Sequence, residues 1–129
     1  TAIILPLHPR TLAALKRIHA VSLDQSIQVI DPVGFLEMTW LLSKCSLVLT
    51  DSGGLQKEAY FHKKPCLTFR EETEWVELVN AGFNRLVSPF SESFLDTYDE
   101  MMKLKISDKS RLYGDGNAAT KIVDFLSTR

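Results

Sequence analysis

Leu47-Val48-Leu49-Thr50-Asp51-Ser52-Gly53-Gly54-Leu55-Gln56-Lys57-Glu58-Ala59 decides how this chain is read. An apolar β-type run stops at small polar residues, two glycines follow, and a helix-forming segment begins. Small residues let a ligand approach the backbone closely. A helix N-terminus adds unpaired N–H groups and the positive end of a dipole. Ser52, Gly53 and Gly54 are therefore candidates to hold phosphate. The plainer reading is a tight strand-to-helix turn with Ser52 or Asp51 as N-cap. Neither the dinucleotide fingerprint nor the Lys-bearing P-loop is present, because their further glycines and Gly-Lys-Ser/Thr are missing.

Glu58 lies one helical turn after Gly54 on the same face. Its carboxylate would stand roughly 6 Å along the axis from the phosphate turn. A carboxylate there suits the vicinal hydroxyls of a ribose next to a pyrophosphate. The alternative is an exposed helix glutamate pairing with His62 at i+4.

Working outward, strand-like and helix-like segments alternate. Ala2–Leu7, Ile27–Ile30, Leu47–Leu49, Cys66–Phe69 and Arg85–Val87 read as strands. The helical stripe Leu12, Leu15, Ile18 and Val21 follows the first strand. Phe35 to about Cys45 follows the second, and Gly54–His62 the third. Thr73 is a plausible N-cap for Glu74–Ala81, with Gly82 at C′. Helices are expected from about Glu92 to Leu104 and again over Ala118, Ala119, Ile122, Val123 and Leu126. This alternation predicts an α/β domain with a Rossmann-like parallel sheet and helices on both faces. Ligands of such sheets bind beyond the C-terminal strand ends. His8, Asp31, Asp51-Ser52 and Arg70 all fall there, from four different strands.

Arg70 could neutralise phosphate charge or pair with Glu71, Glu72 or Glu74. His8 is a contact candidate, although a lone histidine at a strand end more often serves structure. Phe35 and Met38 read as core, while the Asp31–Phe35 loop could frame a flat base. Tyr113-Gly114-Asp115-Gly116-Asn117 leads into the last helix.

At 129 residues the chain amounts to one domain. Its 45% hydrophobic and 24% charged residues are ordinary for a globular protein. A net charge of −1 and no basic cluster argue against nucleic-acid binding. Lys103, Lys105 and Lys109, interleaved with Asp108, read as a solvated face. No run reaches membrane-spanning length and no signal peptide is visible, so a cytoplasmic location is expected. Cys45 and Cys66 lack metal spacing and are expected to be small core residues in a reducing compartment. No metal or cofactor is expected. Thr1 opens almost directly into a buried-strand pattern, as in a fragment of a longer protein.

The Thr50–Ala59 turn closely resembles the signature of the non-hydrolysing UDP-N-acetylglucosamine 2-epimerase family. Pro6-Leu7-His8-Pro9, Ile30-Asp31-Pro32 with Phe35 and Trp40, Lys64–Arg70 with Thr73-Glu74, and Tyr113–Ala118 match in the same order. The likeness covers essentially the whole chain. It implies the second, C-terminal domain of a GT-B-type fold over residues 1–129, with the N-terminal domain missing as a partner. It implies a UDP-sugar ligand: Ser52 and Gly53 on the pyrophosphate, Glu58 on the ribose, and Asp31–Met38 around the uracil. The family's reaction eliminates UDP as a proton leaves C2, then adds it back after reprotonation on the other face. The position of His8 is similar to one that in some bacterial members faces a regulatory UDP-sugar site.

Two departures qualify the resemblance. Most members acting on UDP-N-acetylglucosamine carry Thr-Glu-Arg-Pro-Glu, where this chain has Thr73-Glu74-Trp75-Val76-Glu77. The missing arginine's work then falls to Arg70 or to nothing in this chain. The tryptophan form resembles members acting on UDP-2,3-diacetamido-2,3-dideoxyglucuronate, and also others named simply for UDP-N-acetylglucosamine. The second departure is length. The family's acid/base carboxylates belong to the first domain, so this chain is expected to carry no catalytic residue and to be inactive alone. Losing the preceding central strand should leave the Ala2–Leu7 edge unpaired, to be closed onto Leu47–Leu49 or paired with a second copy in a homodimer. A GT-B glycosyltransferase is the alternative enzyme, and a receiver- or flavodoxin-type module the non-enzymatic one.

Overall fold

A computed structural model describes residues 2–17, 24–107 and 111–128. Ile18, Val21, Asp108 and Lys109 lie outside the described residues. The elements run β1 (Ile3–Pro6), α1 (Pro9–Arg17), β2 (Ile27–Ile30), α2 (Phe35–Lys44), β3 (Val48–Thr50) and α3 (Gly53–Phe61). They continue with β4 (Cys66–Thr68), α4 (Val76–Asn80), β5 (Asn84–Leu86), α5 (Phe94–Lys103) and α6 (Ala118–Ser127). Every strand pairing among the described residues is parallel, as the strand–helix alternation predicts. The strands form two sheets, β1-β2 and β3-β4-β5. The backbone divides into two compact units, Thr1–Leu41 and Leu42–Arg129.

In the first unit β1 pairs with β2 from Ile3↔Ile27 to Pro6↔Ile30. Pro6 has no N–H to give, and it sits at the strand's last position, where the loss costs least. Among the described strands β1 pairs with β2. Leu7 is the unit's one buried apolar residue among those described, whereas Ile3, Ile4 and Val29 are exposed.

The second unit is built around β4. In β4 all three residues are buried, with Val48↔Cys66 on one side and Cys66↔Asn84 on the other. Successive side chains point to opposite faces, so Leu67 and the Cys66/Thr68 pair face different helices. Leu67 packs with Val87 and Met101 of α5, backed by Leu49, Phe69, Phe94 and Tyr98. On the opposite face Thr68 bonds Asn84, and Asn84 bonds Gln56 of α3. Gln56, Ala59 and Tyr60 are buried at helical spacing, which fixes the inward face of α3.

Helix α4 starts at Val76, two residues later than a Thr73 cap predicts. The Thr73 hydroxyl does accept a backbone N–H, from Trp75 at 3.1 Å. It also donates to Gln56 Oε1 at 2.6 Å, which holds the segment in a turn before the helix begins. Gly82, with φ +77°, takes the left-handed conformation expected at C′. No helix among the described residues is long and apolar enough to cross a membrane.

Candidate functional site

The turn after β3 is built from its own polar atoms. Thr50 Oγ1 accepts from Ser52 N at 3.0 Å, which bends the chain out of the strand. Ser52 is extended, at φ −78° and ψ 129°, and caps α3 by accepting from Leu55 N at 3.5 Å. The plain N-cap reading of Ser52 is therefore present in the structure, through a long bond. Gly53 and Gly54 follow as the first helical residues, whose N–H groups have no intrahelical acceptor.

The two glycines differ. A Cβ on Gly54 would meet nothing within 4 Å. One on Gly53 would collide with the Glu74 carboxylate and lie 3.7 Å from Arg70 Nη1. Arg70 pairs with Glu74 at 3.1 Å, the partner named last among its three acidic candidates. This ion pair stands beside the glycine turn, so Arg70 is both salt-bridged and at the site.

The segment carrying Glu74 is strapped to the turn on both sides. Trp75 Nε1 donates to the Gly53 carbonyl at 2.8 Å. Gln56 Nε2 donates to the Ser52 carbonyl at 3.2 Å, and its Oε1 accepts from Thr73 and from Asn84 at 2.9 Å. A fully buried glutamine thus ties β5, the Thr73–Trp75 segment and the start of α3 together. Gln56 is not among the residues that motif or spacing singles out. A polar residue on the inward stripe of α3, beside Ala59 and Tyr60, was the available signal.

One turn on, the Glu58 side chain is half-buried. Among the described residues the side chain makes no hydrogen bond or ion pair, so the pairing with His62 offered as the alternative is absent. Lys57, its neighbour, lies over Trp75 at 4.4 Å and over Tyr113 at 4.2 Å from the ring centres. Its charge is committed to these two rings and not to the glycine turn. Burial, and then the neighbouring Glu77 carboxylate, push the Tyr113 hydroxyl up, so that ring stays neutral beside Lys57.

The remaining candidates belong to the first unit. His8 follows β1, and its Nδ1 accepts from Arg10 N at 3.2 Å, a structural role at the start of α1. Phe35 is 73% exposed, which corrects the core reading, while Met38 is partly buried. Phe35 opens α2 just after the β2 loop and has too little chain packed over it to be enclosed. An open apolar trench of about 420 Å³ lies alongside, lined by Ile30, Val33, Leu36, Glu37, Trp40 and Leu41. Asp31 is exposed at the end of β2.

Both cysteines are free. Cys66 is buried and its thiol is pushed up to about 11 by burial, while Cys45 is half-buried and raised less, for the same first cause. Among the described residues no group of three His, Cys, Asp or Glu side chains could hold a metal ion.

Parallel strands, helices on both faces of β4 and a glycine turn opening α3 place the chain among Rossmann-like α/β proteins. The model of the UDP-N-acetylglucosamine 2-epimerase family matches residues 1–127, and the chain belongs to that family. It is 48% identical over 125 residues to the UDP-2,3-diacetamido-2,3-dideoxy-D-glucuronate 2-epimerase of Pseudomonas aeruginosa, covering 97% of this chain and 34% of the relative. It is 38% identical over 129 residues to the UDP-N-acetylglucosamine 2-epimerase of Methanocaldococcus jannaschii, covering 98% and 35%. The solved structure of the UDP-GlcNAc 2-epimerase from that organism matches at TM-score 0.88 and 37% identity, over 100% of this chain and 36% of its own. A second structure of it, in complex with UDP-GlcNAc and UDP, matches at TM-score 0.83. The chain spans about a third of the length of the curated relatives it matches.

Proposed function

We propose that this chain is the nucleotide-binding part of a UDP-sugar 2-epimerase. The observation that carries the reading is the β3–α3 turn, where capped Ser52, the glycine pair and the unpaired Glu58 follow one another along a single helix start. In this reading the diphosphate lies at the N-terminus of α3, with backbone N–H groups and Arg70 carrying its charge. Glu58 accepts hydrogen bonds from the ribose hydroxyls. His8, Phe35 and Met38 are assigned to the remaining contacts of the UDP-sugar.

The chemistry divides accordingly. As the C1–O bond breaks, negative charge builds on the departing diphosphate, and donors already aimed at it lower that barrier. This chain supplies that stabilisation and keeps UDP in place for re-addition. The groups that move the C2 proton belong to a preceding domain, and the working protein is a homodimer.

The relative with 48% identity acts, by its name, on UDP-2,3-diacetamido-2,3-dideoxy-D-glucuronate. That likeness favours this substrate over UDP-N-acetylglucosamine, while the tryptophan at position 75 fits either. Incubating the full-length enzyme with each sugar in deuterated water decides the matter: deuterium enters at C2 of the true substrate only. A glycosyltransferase would label neither. For the site itself, Glu58→Gln should weaken UDP binding by about 1–3 kcal/mol in calorimetry. Unchanged affinity would make Glu58 an ordinary helix residue.

A further inference from the structure

Gly53 lacks a Cβ, yet the space is not empty. Glu74 Oε1 occupies it, with Glu74 Cδ 3.2 Å from where a Cβ would stand. A carboxylate thus rests against the first residue of α3, at the positive end of the helix. Arg70 holds it there at 3.1 Å. The chain between Arg70 and Glu74 is not helical, so their i,i+4 spacing does not by itself bring them together. The backbone does. Thr73 is tied to Gln56 and Trp75 to the Gly53 carbonyl, so Glu74 hangs between two anchored neighbours, directly over the turn. Its side chain remains 51% exposed and free to swing outward.

We propose that Glu74 is an internal anion occupying the place that a ligand's diphosphate takes, with Arg70 passing from carboxylate to phosphate as the ligand arrives. The proposal rests on the UDP reading above and adds to it a competitor carried by the chain itself. A helix N-terminus beside a guanidinium attracts any anion. A carboxylate brings one negative charge, whereas a diphosphate brings more charge and more acceptor oxygens, so it displaces the carboxylate. The two anions cannot share Arg70 without repulsion. Ligand affinity is lowered by the work of moving Glu74, and small stray anions are turned away from the turn.

The test is to titrate UDP and uridine separately into the full-length protein and its Glu74→Gln and Glu74→Ala variants, with folding verified by circular dichroism. UDP should bind both variants about fivefold more tightly, the size expected for relief of one partly exposed charge. Uridine, which has no phosphate, should bind all three alike. Equal or weaker UDP binding by both variants overturns the proposal and leaves the UDP reading standing. Uridine tightening in step with UDP also overturns it, because the effect would then not lie at the phosphate place. Absence of UDP binding in all three proteins removes the UDP reading, and the competitor with it.

Discussion

The two compact units are made by the same alternation of strand and helix, and they differ in what they bury. In Leu42–Arg129 the strand β4 is closed on both faces, by Met101 and Val87 on one and by Gln56 and Asn84 on the other. In Thr1–Leu41 only Leu7 is a buried apolar residue among those described, while Ile3, Ile4, Val29, Phe35, Leu36 and Trp40 are exposed. Hydrophobic burial is the main favourable term in folding. The glycine turn therefore draws its geometry from a core in its own unit, whereas the β1-β2 pair has little core of its own.

The largest effect that bears on this contrast is Leu67→Ala. Leu67 is fully buried between β-strands and α5. Its truncation should cost about 3–4 kcal/mol in denaturant unfolding. A cost near that of a surface change would mean the β4 core does not hold the second unit together.

Next comes a pH effect at Cys66. Burial disfavours the thiolate and pushes this thiol up from its ordinary 9.0 to about 11 in the folded chain. Between these values the unfolded state has released a proton that the folded state keeps. Stability is thus fully present below pH 9 and falls as pH rises toward 11, by about 2–3 kcal/mol. Cys66→Ala should flatten that part of the stability profile. Parallel profiles for the two proteins would place Cys66 in a wetter setting than its burial indicates.

Trp75→Phe keeps a ring against Lys57 but removes the donor to the Gly53 carbonyl. It should cost about 1 kcal/mol. No change would show that the strap over the turn is held by Thr73 and Gln56 alone. The smallest effect is expected in the first unit, where Ile4→Ala on exposed β1 should cost less than about 1 kcal/mol. A loss as large as that of Leu67→Ala would erase the contrast between the units.

Local features of the fold were legible in the sequence. Ile27–Ile30 is a strand over those residues, Gly82 ends a helix, and Ser52 caps one, because each follows from near neighbours. Long-range choices were not. An apolar run announces a strand but not its partner, so the order β3-β4-β5 is not written in the runs themselves. Thr73 could be read as a cap from its neighbours, but its bond to Gln56, 17 residues away, delays the helix. Gln56 itself looked like one more polar position in a helix. The strand-to-helix turn at Ser52–Gly54 was legible from its own residues, while the Glu74 carboxylate against Gly53 depends on a fold-back that spacing does not encode.

The strap over the turn also makes the chain its own optical reporter. Of its two tryptophans, Trp40 is 61% exposed on α2, while Trp75 has its indole N–H on the Gly53 carbonyl and Lys57 over its ring. Indole emission responds to hydrogen bonding and to nearby charge. A rearrangement at the head of α3 changes the colour and yield of Trp75, and comparison with Trp40→Phe isolates that signal without any attached dye.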